Sequence, residues 1–211
     1  MATADPLRPL LIAGPTASGK SALALEIAER VGGAVVNADA LQVYAEWRVL
    51  TARPGAAETA RAPHHLYGHV PGRAPYSVGA WLRDAEAVLA RLRDAGRRPV
   101  IVGGTGLYFT ALTEGLTALP PVAPEIRAAA EARLARLGRE GFADEVARRD
   151  PDTAARIDRA NPARLLRAWE TLEQTGEGLA AHWARTPPPL LPLDACETRL
   201  VLPDRAALYA R

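Results

Sequence analysis

Residues 14–21 read GPTASGKS, and this run constrains the fold more than any other stretch of the chain. A glycine, four residues, then glycine, lysine and serine works only between a buried strand and the first turn of a helix. The glycines let the backbone curve so tightly that several N–H groups converge on one anion. The helix N-terminus adds partial positive charge to the same point. Both flanks are present. "PLLIA" (9–13) suits a buried strand, and "KSALALEIAERV" (20–31) sets Leu23, Ile27 and Val31 on one helical face before Gly32 and Gly33 stop it.

The pattern then repeats. "AVVNAD" (34–39) reads as a second buried strand, and residues 76–96 as a long helix with Ser77 as N-cap and Gly96 as stop. Val78, Trp81, Leu82, Ala85, Leu89 and Leu92 form its apolar stripe, and "PVIVGG" (99–104) is a third strand. Strand and helix in alternation predict an α/β fold, a P-loop NTPase-like parallel sheet flanked by helices. Residues 123–185 carry no strand pattern and at least three helical stretches, one opened by Asn161-Pro162 and closed by Gly176. They are expected to form an all-helical insertion between a core at 1–122 and a return to it at 186–211. "TPPPLLPLD" is a stiff connector there, "ETRLVL" the next strand, and 204–211 the start of a helix.

Composition narrows the class. With 48% hydrophobic and 24% charged residues the chain has the profile of a soluble globular protein. No apolar run approaches the roughly 18 residues that would cross a bilayer, so no membrane partner is expected; a cytoplasmic monomer is the expected form. The single cysteine, Cys196, cannot form an internal disulfide, which fits a reducing compartment. A net charge of +2 does not by itself announce nucleic acid. Lys+Arg is 26, yet Lys20 is the only lysine, and it stands inside the phosphate motif. There a compact ammonium on a flexible stem does what a planar guanidinium does not.

Gly14, Pro15, Thr16, Ala17, Ser18, Gly19, Lys20 and Ser21 are therefore the expected phosphate-binding residues, with Ser21 placed to ligate Mg2+ riding on the phosphates. The default for such a cradle is nucleoside triphosphate binding, as in an ATPase or kinase. Those enzymes usually carry a strand ending in an acid that helps hold the metal, but the 99–102 strand ends in "GGTG". The carboxylate comes instead from Asp39, at the sheet edge that also carries the cradle. Asp39 could hold magnesium, cap a helix or act as a base, and spacing does not separate these. His64 and His65 lack a third metal ligand and read as packing or loop residues. Trp81, Trp169 and Trp183 read as core.

Seven blocks, "GPTASGKS", "NADALQVY", "TARP", "PHHL", "YS" before a helix, "GGTGLY" and "NPARLLRAWE", occur in the order found in tRNA dimethylallyltransferases. The chain resembles that family from about Leu10 to Arg211. The resemblance implies a cradle for the diphosphate of dimethylallyl diphosphate, where phosphate is a leaving group. The acceptor is the exocyclic amine of the adenosine 3′ of the anticodon in tRNA, turned out of the anticodon loop. Asp39 is then the general base, and Thr105 lies at the reacting end of the channel. Asp39, Ala40, Leu41 and Gln42 contact tRNA, as do Thr105, Arg127, Ala163, Arg164, Leu165, Leu166 and Arg167. The chemistry agrees: an adenine amine is a poor nucleophile, and the target base must leave its stack before it reacts.

The chain departs from the family at Ala40, where many members have Ser, and at "TARP", where "TAKP" is more usual. The resemblance also implies further helices and a Gly-Tyr-Arg block past Arg211, so a shortened form with a reduced RNA grip is expected. The rival activities are a cytokinin-type adenylate isopentenyltransferase, a small-molecule P-loop kinase, and a non-catalytic protein that binds diphosphate or RNA.

Overall fold

The computed structural model describes residues 7–204. Five strands form one parallel sheet in the order β3-β2-β4-β1-β5: β1 Leu10–Ala13, β2 Ala34–Asn37, β3 His64–His65, β4 Pro99–Gly103 and β5 Glu197–Leu200. The central strands are apolar but for Asn37 at the end of β2, because both faces are covered, as a parallel sheet requires. Alternate residues serve opposite faces, and the short helix α2 (Ala56–Arg61) lies between β2 and β3 in the chain. Leu11, Val36 and Ile101 pack with Trp81, Val88 and Leu92 of α3 (Val78–Asp94) and with Tyr108 and Leu112 of α4 (Gly106–Glu114). Leu10, Ile12, Val35, Val100 and Val102 pack against α1 (Lys20–Val31). The sheet is the expected P-loop NTPase-like one.

On α1 the buried face differs from the expected stripe. Ala24, Leu25 and Ala28 are buried, Leu23 and Ile27 pack only at the flank, and Val31 is 45% exposed. The phosphate loop fixes the angle at which the chain enters α1, and small alanines let the helix lie close on the sheet. Tertiary geometry here outweighs the bulkier periodicity. Ser77 caps α3 by accepting from the Ala80 N–H, and Gly32 ends α1 in the left-handed conformation, as the sequence indicates. β5 stops at Leu200, short of the expected "ETRLVL" run, and is exposed along its outer face as an edge strand. The helix expected over 204–211 lies outside the described residues but for Asp204.

A second compact unit covers Thr117–Pro187, the first comprising the chain up to Leu116 and from Pro188 onward. Its boundaries, 116/117 and 187/188, stand against the 122/123 and 185/186 read from composition. The extended stretch before residue 124 joins the helices because Leu119 packs on their core and Gln174 accepts from the Ala123 N–H. The unit contains α5 (Pro124–Arg149), α6 (Pro151–Ala154), α7 (Pro162–Thr175) and α8 (Leu179–Trp183), with α5 kinked at Gly138. Its core is Phe142, Val146, Leu165, Ala168, Trp169 and Leu179, closed by Ala130 and Ala143. Asn161 caps α7 and Gly176 ends it. Among the described residues no helix is long and apolar enough to cross a membrane.

Candidate active site

The loop from Gly14 to Gly19 turns through two left-handed residues, Ala17 (φ 64°) and Gly19 (φ 88°), into the first turn of α1. That curvature presents the N–H groups opening the helix to the space above β1. The Lys20 ammonium folds back over the loop and donates to the Pro15 carbonyl at 3.0 Å. Burial lowers its pKa from the ordinary 10.5, and the charge of Asp39 works against that lowering. Ser18 is buried, with no hydrogen-bond partner for its hydroxyl, inside the tight turn. A Cβ on Gly14 would fall 2.5 Å from the Val201 carbonyl oxygen and 2.9 Å from the Ser18 hydroxyl, so only glycine fits there.

Asp39 stands just past the carboxyl end of β2. Its Oδ1 accepts from the Leu41 N–H at 2.9 Å, while Oδ2 lies beside Gly104 at the end of β4. Its negative charge also reaches two phenols. Burial foremost, then Asp39, pushes Tyr67 up, and burial, Tyr44 and Asp39 push Tyr108 up to about 12. Thr105 is brought to the same place. Its Oγ1 accepts from the Ala40 N–H at 2.9 Å, and its own N–H donates to the Ala38 carbonyl at 3.2 Å. The approach of β4 to β2 is so close that a Cβ on Gly103 would fall 2.0 Å from the Ala38 oxygen.

The cradle and Asp39 share one cavity of about 350 Å³, lined by Thr16 through Ala22, Asp39, Gln42, Thr51 and Ala52. That volume lies in the range of small-molecule sites, roughly 300–1,000 Å³. Ser21 opens the cavity at the exposed first turn of α1. Hydroxyl and carboxylate oxygens with phosphate oxygens make the hard donor set that suits Mg2+. Among the described residues no group of three or more His, Cys, Asp or Glu forms a protein-only metal cage, and magnesium seldom needs one. His64 and His65 lie on β3, with His64 Nδ1 against the Ala62 carbonyl.

Gln42 takes a role the sequence did not suggest. Its amide donates to the Thr51 carbonyl at 2.8 Å and so ties the 51–52 turn, where Ala52 has a φ of 50°, to the cavity wall. Leu41 stays 57% exposed at the rim and Ala40 is half-buried. Thr51 and Ala52 line the cavity and the buried Asn37 bonds the backbone of Asp39, roles that no motif assigns. The signals were a turn-prone "TARP" and one polar residue closing an apolar strand.

In the helical unit the expected RNA-contacting residues divide. Ala163 and Arg164 are exposed on α7, and Leu166 and Arg167 are half-buried. Leu165 turns its side chain away from solvent. It is 0% exposed in the unit's core, because the heptad-like spacing of Leu165, Ala168 and Trp169 turns that stripe inward. Arg127 and Arg167 both face the buried Glu170, at 3.4 Å and 4.0 Å, so each neutralises an interior carboxylate.

Residues 42–211 match the family described as IPP transferase, and residues 8–65 match the isopentenyl transferase family. The chain is 60% identical over 204 residues to a tRNA dimethylallyltransferase of Cereibacter sphaeroides, covering 97% of this chain and 63% of that one. It is 56% identical over 212 residues to the Paracoccus denitrificans protein of the same name, covering 100% and 70%. It thus spans a little under two thirds of the length of the first of these relatives. A eukaryotic dimethylallyltransferase acting on tRNA shares the fold, with a TM-score of 0.78 at 22% identity over 96% of this chain and 50% of that one. A tRNA isopentenylpyrophosphate transferase from Bacillus halodurans aligns with a TM-score of 0.57 at 29% identity, over 97% and 63%. A match over most of its length, and relatives of which it covers more than two thirds, make this chain a member of the IPP transferase family.

Proposed function

We propose that the chain transfers a dimethylallyl group from dimethylallyl diphosphate to the exocyclic amine of the adenosine 3′ of the anticodon in tRNA, releasing diphosphate. The observation that carries this reading is a single cavity in which an anion cradle faces the Asp39 carboxylate while β4 ends in glycines and Thr105. A leaving diphosphate and an acceptor that must lose a proton need that pairing.

In this reading the loop N–H groups and the Lys20 ammonium bind the diphosphate and take up charge as the allylic C–O bond breaks. Magnesium, held by Ser21 and the phosphate oxygens, would supply further neutralisation of the departing anion when bound. The adenosine amine forms the new C–N bond, and its proton passes to Asp39. The Leu41 N–H fixes Oδ1, so Oδ2 is the oxygen that receives it. Base assistance of this kind contributes about 10²–10⁴-fold. The Thr105 hydroxyl, already accepting from Ala40, keeps its own hydrogen for the reacting group.

Exposed Arg164, with Arg127 and Arg167, supplies phosphate contacts on the helical unit. The isopentenyl transferase family that residues 8–65 match names the transferred group and no acceptor, so the second reading is transfer to free adenylate through the same cradle. Incubation with dimethylallyl diphosphate and either an anticodon stem-loop or AMP decides between them. Mass spectrometry of the digested RNA is expected to show one adenosine heavier by a single prenyl unit, with AMP unmodified. Modified AMP with unmodified RNA would reverse the assignment.

A further inference from the structure

We propose that Asn37 is the positioning residue that sets the geometry of Asp39; this rests on the reading of Asp39 as the base. Asn37 closes β2 and is 0% exposed. Its Oδ1 accepts from the Asp39 N–H at 3.0 Å, and its Nδ2 donates to the Asp39 carbonyl at 2.9 Å. Both backbone groups of one residue are thus bonded by one side chain. The same Nδ2 donates to the Leu66 carbonyl at 3.0 Å, in a turn where Leu66 has a φ of 63°. The Asn37 carbonyl is itself held by the Trp81 indole N–H at 2.9 Å, which anchors it to α3.

Only a short primary amide satisfies this arrangement. An aspartate keeps the acceptor and loses both donors, a serine is too short to serve three partners, and an alanine leaves an N–H and two part-buried carbonyls without their partner. From the other side the Ala38 carbonyl and the Ala40 N–H are bonded by Thr105. Residues 37–40 are therefore clamped between β4 and the 66–68 turn, and the Asp39 carboxylate leaves a backbone that cannot drift. A displacement of about 1 Å at a reacting group costs on the order of 10²-fold in rate.

The test is a double-mutant cycle read by single-turnover prenyl transfer to an anticodon stem-loop with saturating substrates. Asn37→Ser, Asn37→Ala and Asn37→Asp are made in the parental chain and in an Asp39→Asn background. Asn37→Ser is included because Asn37→Ala could fail to fold, and thermal melting reports on each. In the parental background the chemical step is expected to fall about 10–100-fold, with the affinity for inorganic diphosphate nearly unchanged. In the Asp39→Asn background the same substitutions are expected to cost little more, because the group they position is already gone. Equal losses in both backgrounds, or an Asn37→Asp variant as fast as the parent, would overturn the positioning role while leaving the transfer reading intact. A well-folded parent that transfers to no adenosine acceptor would instead remove the reading itself, and this role with it.

Discussion

At the scale of single residues the account rests on Lys20 and Asp39, two opposite charges facing one cavity. Lys20→Ala should weaken binding of dimethylallyl diphosphate at least tenfold in a calorimetric titration, since a charge-assisted contact is worth roughly 1.5–3 kcal/mol. Unchanged affinity would remove Lys20 from the cradle. The lowered pKa of Lys20 gives that binding a pH dependence with a definite sign. The anion favours the charged ammonium, so affinity holds at lower pH and declines as pH rises through the lysine's range. The decline should begin at a lower pH than an exposed lysine of pKa 10.5 would give, and titrations above the last ionisation of diphosphate measure it. For Asp39→Asn the expected result is a fall of about 10²-fold or more in single-turnover rate with diphosphate affinity retained. If rising magnesium restored the rate, Asp39 would be a metal ligand, and if only stability fell, by about 0.5–2 kcal/mol, it would be a cap.

At the scale of elements, the site is made by the ends of β1, β2 and β4 meeting at glycines. Gly103→Ala drives a Cβ to 2.0 Å from the Ala38 oxygen, in the backbone that carries Asp39. It should destabilise the protein by about 1–3 kcal/mol in chemical denaturation, whereas Gly106→Ala, with nothing within 4 Å at the start of α4, should be neutral or stabilise by up to about 1 kcal/mol. Equal effects would mean that the β2–β4 approach is not tight. The strand–cradle–helix succession, the helix caps and the Asp39 edge were legible because local rules write them: glycine spacing, period, capping residues. What was not legible depended on contacts between distant segments. The buried face of α1 is chosen by how the sheet receives it, the inward turn of Gln42 by the 51–52 turn, and the triple bonding of Asn37 by a carbonyl 29 residues away. The run 163–167 that the resemblance marks for RNA contact includes Leu165, whose side chain α7 turns into the core, a packing that a run of matching residues does not show.

For the molecule as a whole, the cradle unit carries the proposed chemistry and the helical unit Thr117–Pro187 carries arginines suited to RNA phosphates. Arg164→Ala, at an exposed position without an ion pair among the described residues, should reduce the salt dependence of stem-loop binding by about 0.7–0.9 in the log–log slope. Arg127→Ala should reduce the slope similarly and also lower stability, because it strips a partner from buried Glu170. An unchanged slope for Arg164→Ala, measured by titration across a salt series, would take that face out of the RNA contact. In the proposed reaction the cradle holds a leaving group and the organic portion is what moves. Dimethylallyl diphosphate labelled separately in carbon and in phosphorus, incubated with the chain, magnesium and tRNA, follows the two halves apart. Carbon label is expected in the RNA and the released phosphorus label in free diphosphate, in equal amounts; phosphorus on the acceptor, or carbon label that never leaves the donor, would rule prenyl transfer out.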